Sequence, residues 1–253
     1  MKKTTRAARF TKKIDSEVLE FSESLTVDIV LFEADLKVTM AHVQMLAKCK
    51  LITKKELETI VSGLKKIKEA VNKDKFPWSY ELEDVHMNIE SQLTKIVGDV
   101  GKKIHMGRSR NDLVTTDLRI YLRDFIDVFL IKLRDLQYAL SKMAIIYSDS
   151  LFPGYTHLQV AQPVTFGHHL LAWNEMMHRD EKRLLDVRKH LNTMPLGSAA
   201  LSGTSYKIDR KMVAKKLGFD EITNNSMDAV SDRDYVCDFA YANSMTMLHL
   251  SRM

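Results

Sequence analysis

Between Arg108 and Leu151 the chain carries neither glycine nor proline. Within that stretch Leu118, Leu122, Phe125, Phe129, Leu133, Leu136, Leu140, Met143 and Tyr147 recur at alternating spacings of three and four. The spacing predicts a single helix of roughly ten turns with one apolar seam, a length typical of bundles. Two more long helices are predicted, one from about Val164 to Asn192 and one from near Asp228 to the last residue, Met253. Upstream the helices shorten. Thr53 and Glu56 make a capping box ahead of the stripe Leu57, Ile60, Leu64, Ile67 and Val71. Phe32, Leu36, Val43 and Leu46 form a similar stripe, as do Val85, Ile89, Leu93 and Ile96 before Gly98. Alternating strand patterns are nearly absent. The pattern predicts an all-α protein: a basic leader over 1–20, a small helical domain over 21–110, and a long-helix bundle over 111–253. Glycine, proline and uncommitted polar residues bunch at about 98–112, 151–163 and 194–210, where helices stop and function is to be sought.

Composition changes this picture little. With 45% apolar and 28% charged residues the chain is too apolar for a disordered polymer and too charged for a membrane protein. The net charge of +5 is concentrated in Lys2, Lys3, Arg6, Arg9, Lys12 and Lys13, all ahead of the first acid, Asp15. Without them the body is balanced, so neither a nucleic-acid nor a membrane partner is expected. The leader lacks the apolar core of a secretory signal and reads as a solvated tail. Cys49 and Cys237, far apart in sequence, fit reduced thiols in a cytoplasmic protein and leave a disulfide between them open. His168 and His169 are neighbours on a helix and point about a hundred degrees apart. No H-E-x-x-H, CxxC or dinucleotide fingerprint occurs, so no metal and no cofactor is implied.

Three constellations could carry chemistry. Gly107-Arg108-Ser109-Arg110-Asn111-Asp112 precedes the longest helix. Two guanidiniums with forked donors, two neutral hydrogen-bonding side chains and a helix N-terminus together suit an organic acid; the plainer alternative is a helix cap. Pro153-Gly154-Tyr155-Thr156-His157-Leu158-Gln159 places a histidine in a polar loop, where imidazole can act as general acid or base; a structural loop histidine is the plainer alternative. Pro195-Leu196-Gly197-Ser198-Ala199-Ala200-Leu201-Ser202-Gly203-Thr204 is rich in small residues and reads as close packing.

These runs, with Ala161-Gln162-Pro163, Gly167-His168-His169 and Asn225-Ser226-Met227-Asp228-Ala229-Val230-Ser231-Asp232-Arg233-Asp234, resemble the argininosuccinate lyase family. The likeness extends from near Phe21 to the last residue. Within the fumarase/aspartase superfamily, Arg108-Ser109-Arg110-Asn111-Asp112 points to that branch. The resemblance implies a cofactor-free β-elimination of argininosuccinate to arginine and fumarate, on the arginine-biosynthesis route. It further implies a homotetramer whose sites are shared between subunits. Carried over position by position, Ser24, Asn111 and Thr156 match substrate-binding residues, and Arg110 sits beside Asn111 in the same carboxylate cradle. His157 matches the proton-handling histidine, for which base and acid roles are both open. Asp28 and Asp84 are candidates for ligand or supporting contacts, with helix capping or surface solvation as the plainer alternative for both.

Two departures from the family pattern stand out. Its Trp-Gly-Gly-Arg-Phe opening is reduced here to Arg9-Phe10 after Thr5-Arg6-Ala7-Ala8. Its third signature, a Gly-Ser-Ser…Met-Pro-Gln-Lys-Lys-Asn-Pro loop that supplies a partner serine and a lysine, does not occur in these 253 residues. The last helix also ends without a cap. The chain therefore reads as an N-terminal half. The alternative function is that of a catalytically incomplete homologue with a structural or assembly role.

Overall fold

The computed structural model describes residues 15–253, so most of the basic leader, with the altered entry motif, lies outside the described residues. Helices dominate. They run α1 Ser16–Ser22, α2 Leu25–Asp28, α3 Phe32–Lys48, α4 Lys54–Asn72, α5 Val85–Val97, α6 Arg110–Ile146, α7 Phe166–Leu191, α8 Arg210–Leu217, α9 Ser226–Ser231 and α10 Asp234–Arg252. The all-α expectation holds with two small sheets added, an antiparallel hairpin of β1 Leu151–Thr156 and β2 Gln159–Thr165 and a pair of two-residue strands, β3 Thr193–Met194 and β4 Glu221–Ile222.

The described residues divide into two compact units, 15–118 with 194–230, and 119–193 with 231–253. The division follows packing rather than chain order. In the first unit α3, α4 and α5 bury Leu36, Val43, Leu46, Ile60, Leu64, Ile67, Ile89 and Leu93 almost completely, as the stripes predict. Thr53 caps α4 reciprocally with Glu56. Lys103 at 2.5 Å, then the Thr53 N–H, holds the Glu56 pKa down at about 2. Replacing Thr53 with Ala is expected to lower stability by about 1 kcal/mol in urea unfolding, because the Glu56 N–H loses the Thr53 hydroxyl that accepts from it.

In the second unit the length of α6 beyond Leu118 packs with α7 and α10. Arg188 pairs with Asp127, and Phe125 meets Phe239 edge-on at 5.6 Å. Asp180, fully buried, accepts from His249 at 2.7 Å and Arg183 at 2.8 Å. Arg119 pairs with Asp232 and lies over the Tyr235 ring at 4.2 Å. The seam on α6 differs from the predicted one. Leu122, Ile126, Leu130, Leu133, Leu140 and Ala144 are buried, whereas Phe125, Met143 and Tyr147 stay exposed. The helix is apolar on more than one face: Val128, Ile131, Tyr138 and Ile145 are also exposed. Periodicity alone cannot tell which of two apolar faces is covered.

The hairpin was not predicted because its residues are nearly all exposed, so no buried face writes an apolar alternation into the sequence. Pro153 and Pro163 face each other across it, and Gly154 sits at an irregularity in register. A Cβ on Gly154 would meet the Gln162 carbonyl at 2.6 Å, so only glycine fits. Both cysteines are free. Among the described residues no helix is long and apolar enough to cross a membrane.

Candidate active site

The first unit gathers Ser24, Arg110 and Asn111 through a chain of short contacts. Ser24 donates its hydroxyl to Asp28 at 2.7 Å and its N–H to the Glu83 carbonyl at 2.8 Å. The second oxygen of Asp28 accepts the Val85 N–H at 3.1 Å. Burial raises the Asp28 pKa, against the Ser24 and Val85 hydrogen bonds. Asp84, next in line, caps α5 through the Met87 N–H at 2.7 Å and pairs with the Arg110 guanidinium at 2.9 Å. Asp28 and Asp84 thus hold Ser24 and Arg110 in place. Asn111 leaves its outer edge exposed and donates one amide hydrogen to the Ala200 carbonyl at 2.9 Å.

The start of α6 is a reciprocal cap. Ser109 Oγ accepts the Asn111 N–H at 3.1 Å, while Asp112 Oδ1 accepts the Ser109 N–H at 3.0 Å. Asp112 was expected to cap at most. It is fully buried, and its other oxygen takes the N–H groups of Gly197 at 2.8 Å and Ala199 at 2.7 Å. Burial raises its pKa, against those three N–H bonds and Arg108. The small-residue loop at 195–204 therefore does more than pack closely. It is joined to α6 by two neighbouring side chains, Asn111 and Asp112.

Arg108 departs from expectation. It is not a surface donor for an organic acid but is only 8% exposed. Its guanidinium donates to Thr39 Oγ1 at 3.0 Å, and Thr39 in turn donates to Asp35 at 2.8 Å. Asp35 meets His86 Nδ1 at 2.5 Å, with Asp117 3.5 Å from the same nitrogen. Both Asp117 oxygens are buried without a hydrogen bond. Burial, then the Asp35 charge, raises the Asp117 pKa well above the ordinary carboxylate range. Asp35 goes the other way: burial would raise it, but the His86 hydrogen bond, the His86 charge and Arg108 together bring it down. Asp35, His86 and Asp117 have ligand atoms within 4.8 Å of one another, a spacing that could hold a metal ion. The Arg108 cation already supplies countercharge there, so the trio suits a retained proton better than a divalent ion. Nearby His42 donates from Nε2 to the Met106 carbonyl at 2.8 Å, and burial, reinforced by Arg108, pushes its pKa down to about 3. No sequence signal separated these buried charges from solvated ones.

In the second unit Thr156 ends β1, and His157-Leu158 form the two-residue turn before Gln159. Both turn residues lie at positive φ, 51° and 61°, the mirror-image turn that suits hairpin twist. Asn and Gly usually fill it. A leucine there is strained backbone, a feature that concentrates at functional sites. Thr156 and His157 are exposed, and among the described residues the imidazole makes no hydrogen bond. It is free to meet a ligand.

A family model described as lyase matches residues 8–253. The chain belongs to the lyase family. Within the lyase family it is 53% identical over 97% of its length to the argininosuccinate lyase of Alkalilimnicola ehrlichii, covering 52% of that protein. Against the argininosuccinate lyase of Pseudomonas syringae pv. tomato it is 52% identical over 96% of its length, covering 53% of the relative. The chain thus spans about half the length of the curated relatives it matches. Among solved structures, an EDDS lyase in complex with formate superposes with a TM-score of 0.83 at 31% identity, covering 92% of this chain and 46% of that one. An EDDS lyase variant with bound fumarate gives 0.83 at 30% identity, covering 96% and 48%. The Brucella melitensis fumarate lyase:delta crystallin, bound to cobalt, shares the fold, with a TM-score of 0.77 at 18% identity over 97% of this chain and 57% of that one.

Proposed function

We propose that the chain serves the cleavage of argininosuccinate to arginine and fumarate, without a cofactor. The observation that carries this reading is the identity of about half its positions with argininosuccinate lyases along nearly its whole length. The first unit's geometry agrees with it. Arg110, oriented by Asp84, and the free edge of Asn111 are donors for a carboxylate, with Ser24 held by Asp28 as a third polar contact.

The reaction explains why such donors are needed. A base takes the proton from the carbon beside a carboxylate, and the resulting negative charge spreads into that carboxylate. Donors that meet the doubly charged group more strongly than the ground state lower the barrier. The carbon–nitrogen bond then breaks, fumarate forms, and the departing guanidino nitrogen receives a proton to give arginine. His157 handles one of these two protons, and Thr156 binds substrate beside it. In the proposed assembly, a cytoplasmic homotetramer, sites are shared, so the Ser24–Arg110–Asn111 group and the Thr156–His157 turn come from different subunits.

A second reading, a catalytically incomplete homologue with an assembly role, draws on the half-length match to the relatives. One assay separates them. The purified chain, from a host lacking its own argininosuccinate lyase, is given argininosuccinate alone and together with the C-terminal half of a relative. Fumarate release is followed by absorbance. Turnover in either mixture supports the lyase reading. Absence of turnover in both, with neither argininosuccinate nor fumarate bound, rejects it.

A further inference from the structure

We infer that Asp112 is a positioning residue: its carboxylate pins the Gly197–Ala199 turn so that the Ala200 carbonyl orients the Asn111 amide for a carboxylate-bearing ligand. The inference rests on Asn111 being a substrate-binding residue, and adds the group through which its amide is set.

The turn would not keep its shape unaided. Ala199 lies at φ +53°, the left-handed region that a side chain disfavours, beside Gly197 at φ +95°, a conformation open to glycine. The Ser198 hydroxyl is fully buried with no hydrogen-bond partner, a further cost. What opposes these costs is the convergence of the Gly197 and Ala199 N–H groups on one Asp112 oxygen. Successive N–H groups arranged this way make an anion-binding hollow, here filled by the chain's own carboxylate. Hydrogen bonds to a charged acceptor are the stronger kind. Arg210 braces the same segment from its other side, donating to the Leu196 carbonyl at 2.9 Å and the Met194 carbonyl at 3.3 Å. The Gly203 N–H closes it on the Ser198 carbonyl at 2.8 Å.

The consequence falls on Asn111. Its amide nitrogen is identified by the bond to the Ala200 carbonyl, since a carbonyl only accepts. That bond uses one amide hydrogen and leaves the second, with the side-chain oxygen, on the exposed edge. Asn111 and Asp112 are consecutive, so one backbone segment is tied to one loop twice. Releasing Asp112 lets the turn relax and carries the Ala200 carbonyl away from the amide.

The test uses the full chain, isotope-labelled, with fumarate as the probe. In Asp112→Asn the Gly197 and Ala199 amides should exchange with solvent faster, and the Asn111 side-chain amide resonances should shift. The fumarate dissociation constant should rise roughly tenfold, as expected for one well-placed hydrogen bond. A thermodynamic cycle separates positioning from general loosening. In an Asn111→Ala background Asp112→Asn should weaken fumarate no further, whereas a purely structural role would give additive losses. Gly197→Ala provides a second route if Asp112→Asn does not fold. Its Cβ would meet Arg210 Cγ at 2.7 Å, disturbing the turn with Asp112 intact, and it should shift the same Asn111 resonances. Unchanged Asn111 resonances in a folded variant, or additive losses in the cycle, overturn the inference. A parent chain that binds no fumarate counts against the functional reading instead, and the amide signals then decide the positioning alone.

Discussion

A His157→Ala chain is expected to release fumarate about 10²–10⁴-fold more slowly than the parent under the same complementation, the usual loss when a positioned proton carrier is removed. The loss should fall on kcat, because the proposed function assigns the substrate carboxylates to Ser24, Arg110 and Asn111 and gives the imidazole a proton to carry. Geometry supports a chemical role over a structural one. A structural loop histidine would be bonded to backbone, whereas this ring makes no hydrogen bond among the described residues. It also stands on a turn whose two residues both occupy the left-handed region. Such a turn presents side chains outward at a fixed angle, and the strain persists only where surrounding structure enforces it. Leu158→Gly checks this point: it removes the strain at φ 61° without touching the imidazole, and should slow turnover far less than His157→Ala. A His157→Ala chain that keeps kcat within threefold of the parent would remove His157 from the chemistry.

The helices were legible in the sequence because burial on one side writes a 3.6-residue period, and Leu64, Ile67, Ile89 and Leu93 follow it faithfully. Legibility stopped where burial did not write a period. The hairpin holding Thr156 and His157 buries no residue fully and only half-buries Phe152, so Phe152, Tyr155 and Val160 carried no readable alternation. The α6 seam was misplaced because that helix is apolar on two faces. The candidate site was legible as residue types in a loop, but not as a network. Asp28 reaches Val85 and Asp112 reaches Gly197 across 57 and 85 positions, and nothing local marks such partners. Arg108 and Arg110, two residues apart, look alike in sequence. Arg108, in the loop ahead of α6, nonetheless turns into the interior toward Thr39, while Arg110, the first residue of α6, reaches Asp84.

That interior arginine gives the largest expected effect on stability. Arg108→Met keeps much of the side-chain volume but removes the guanidinium whose charge acts on both Asp35 and Asp117, and should cost about 3–5 kcal/mol at pH 7, as when one partner of a buried pair is deleted. The pH dependence identifies the cause. In the parent, the raised Asp117 pKa means that the folded chain retains a proton which the unfolded chain releases at ~3.9. Bound protons favour the folded state over that window, so this contribution declines as pH rises from ~3.9 toward the raised value. Asp35 has the opposite sign: its lowered pKa contributes stability that is fully present above ~3.9 and lost as pH falls through the folded value. Without Arg108 both carboxylates lose an attraction that lowers their pKa, and both should titrate higher. The variant must then regain stability on acidification, as protonation relieves the stranded charges, and its deficit against the parent should shrink from pH 8 to pH 5 in urea unfolding. A deficit independent of pH would assign Arg108 a packing role only. Asp117→Asn supplies the complementary result, removing the charge while keeping the shape. It should leave neutral-pH stability unchanged or higher, and flatten the acid side of the profile.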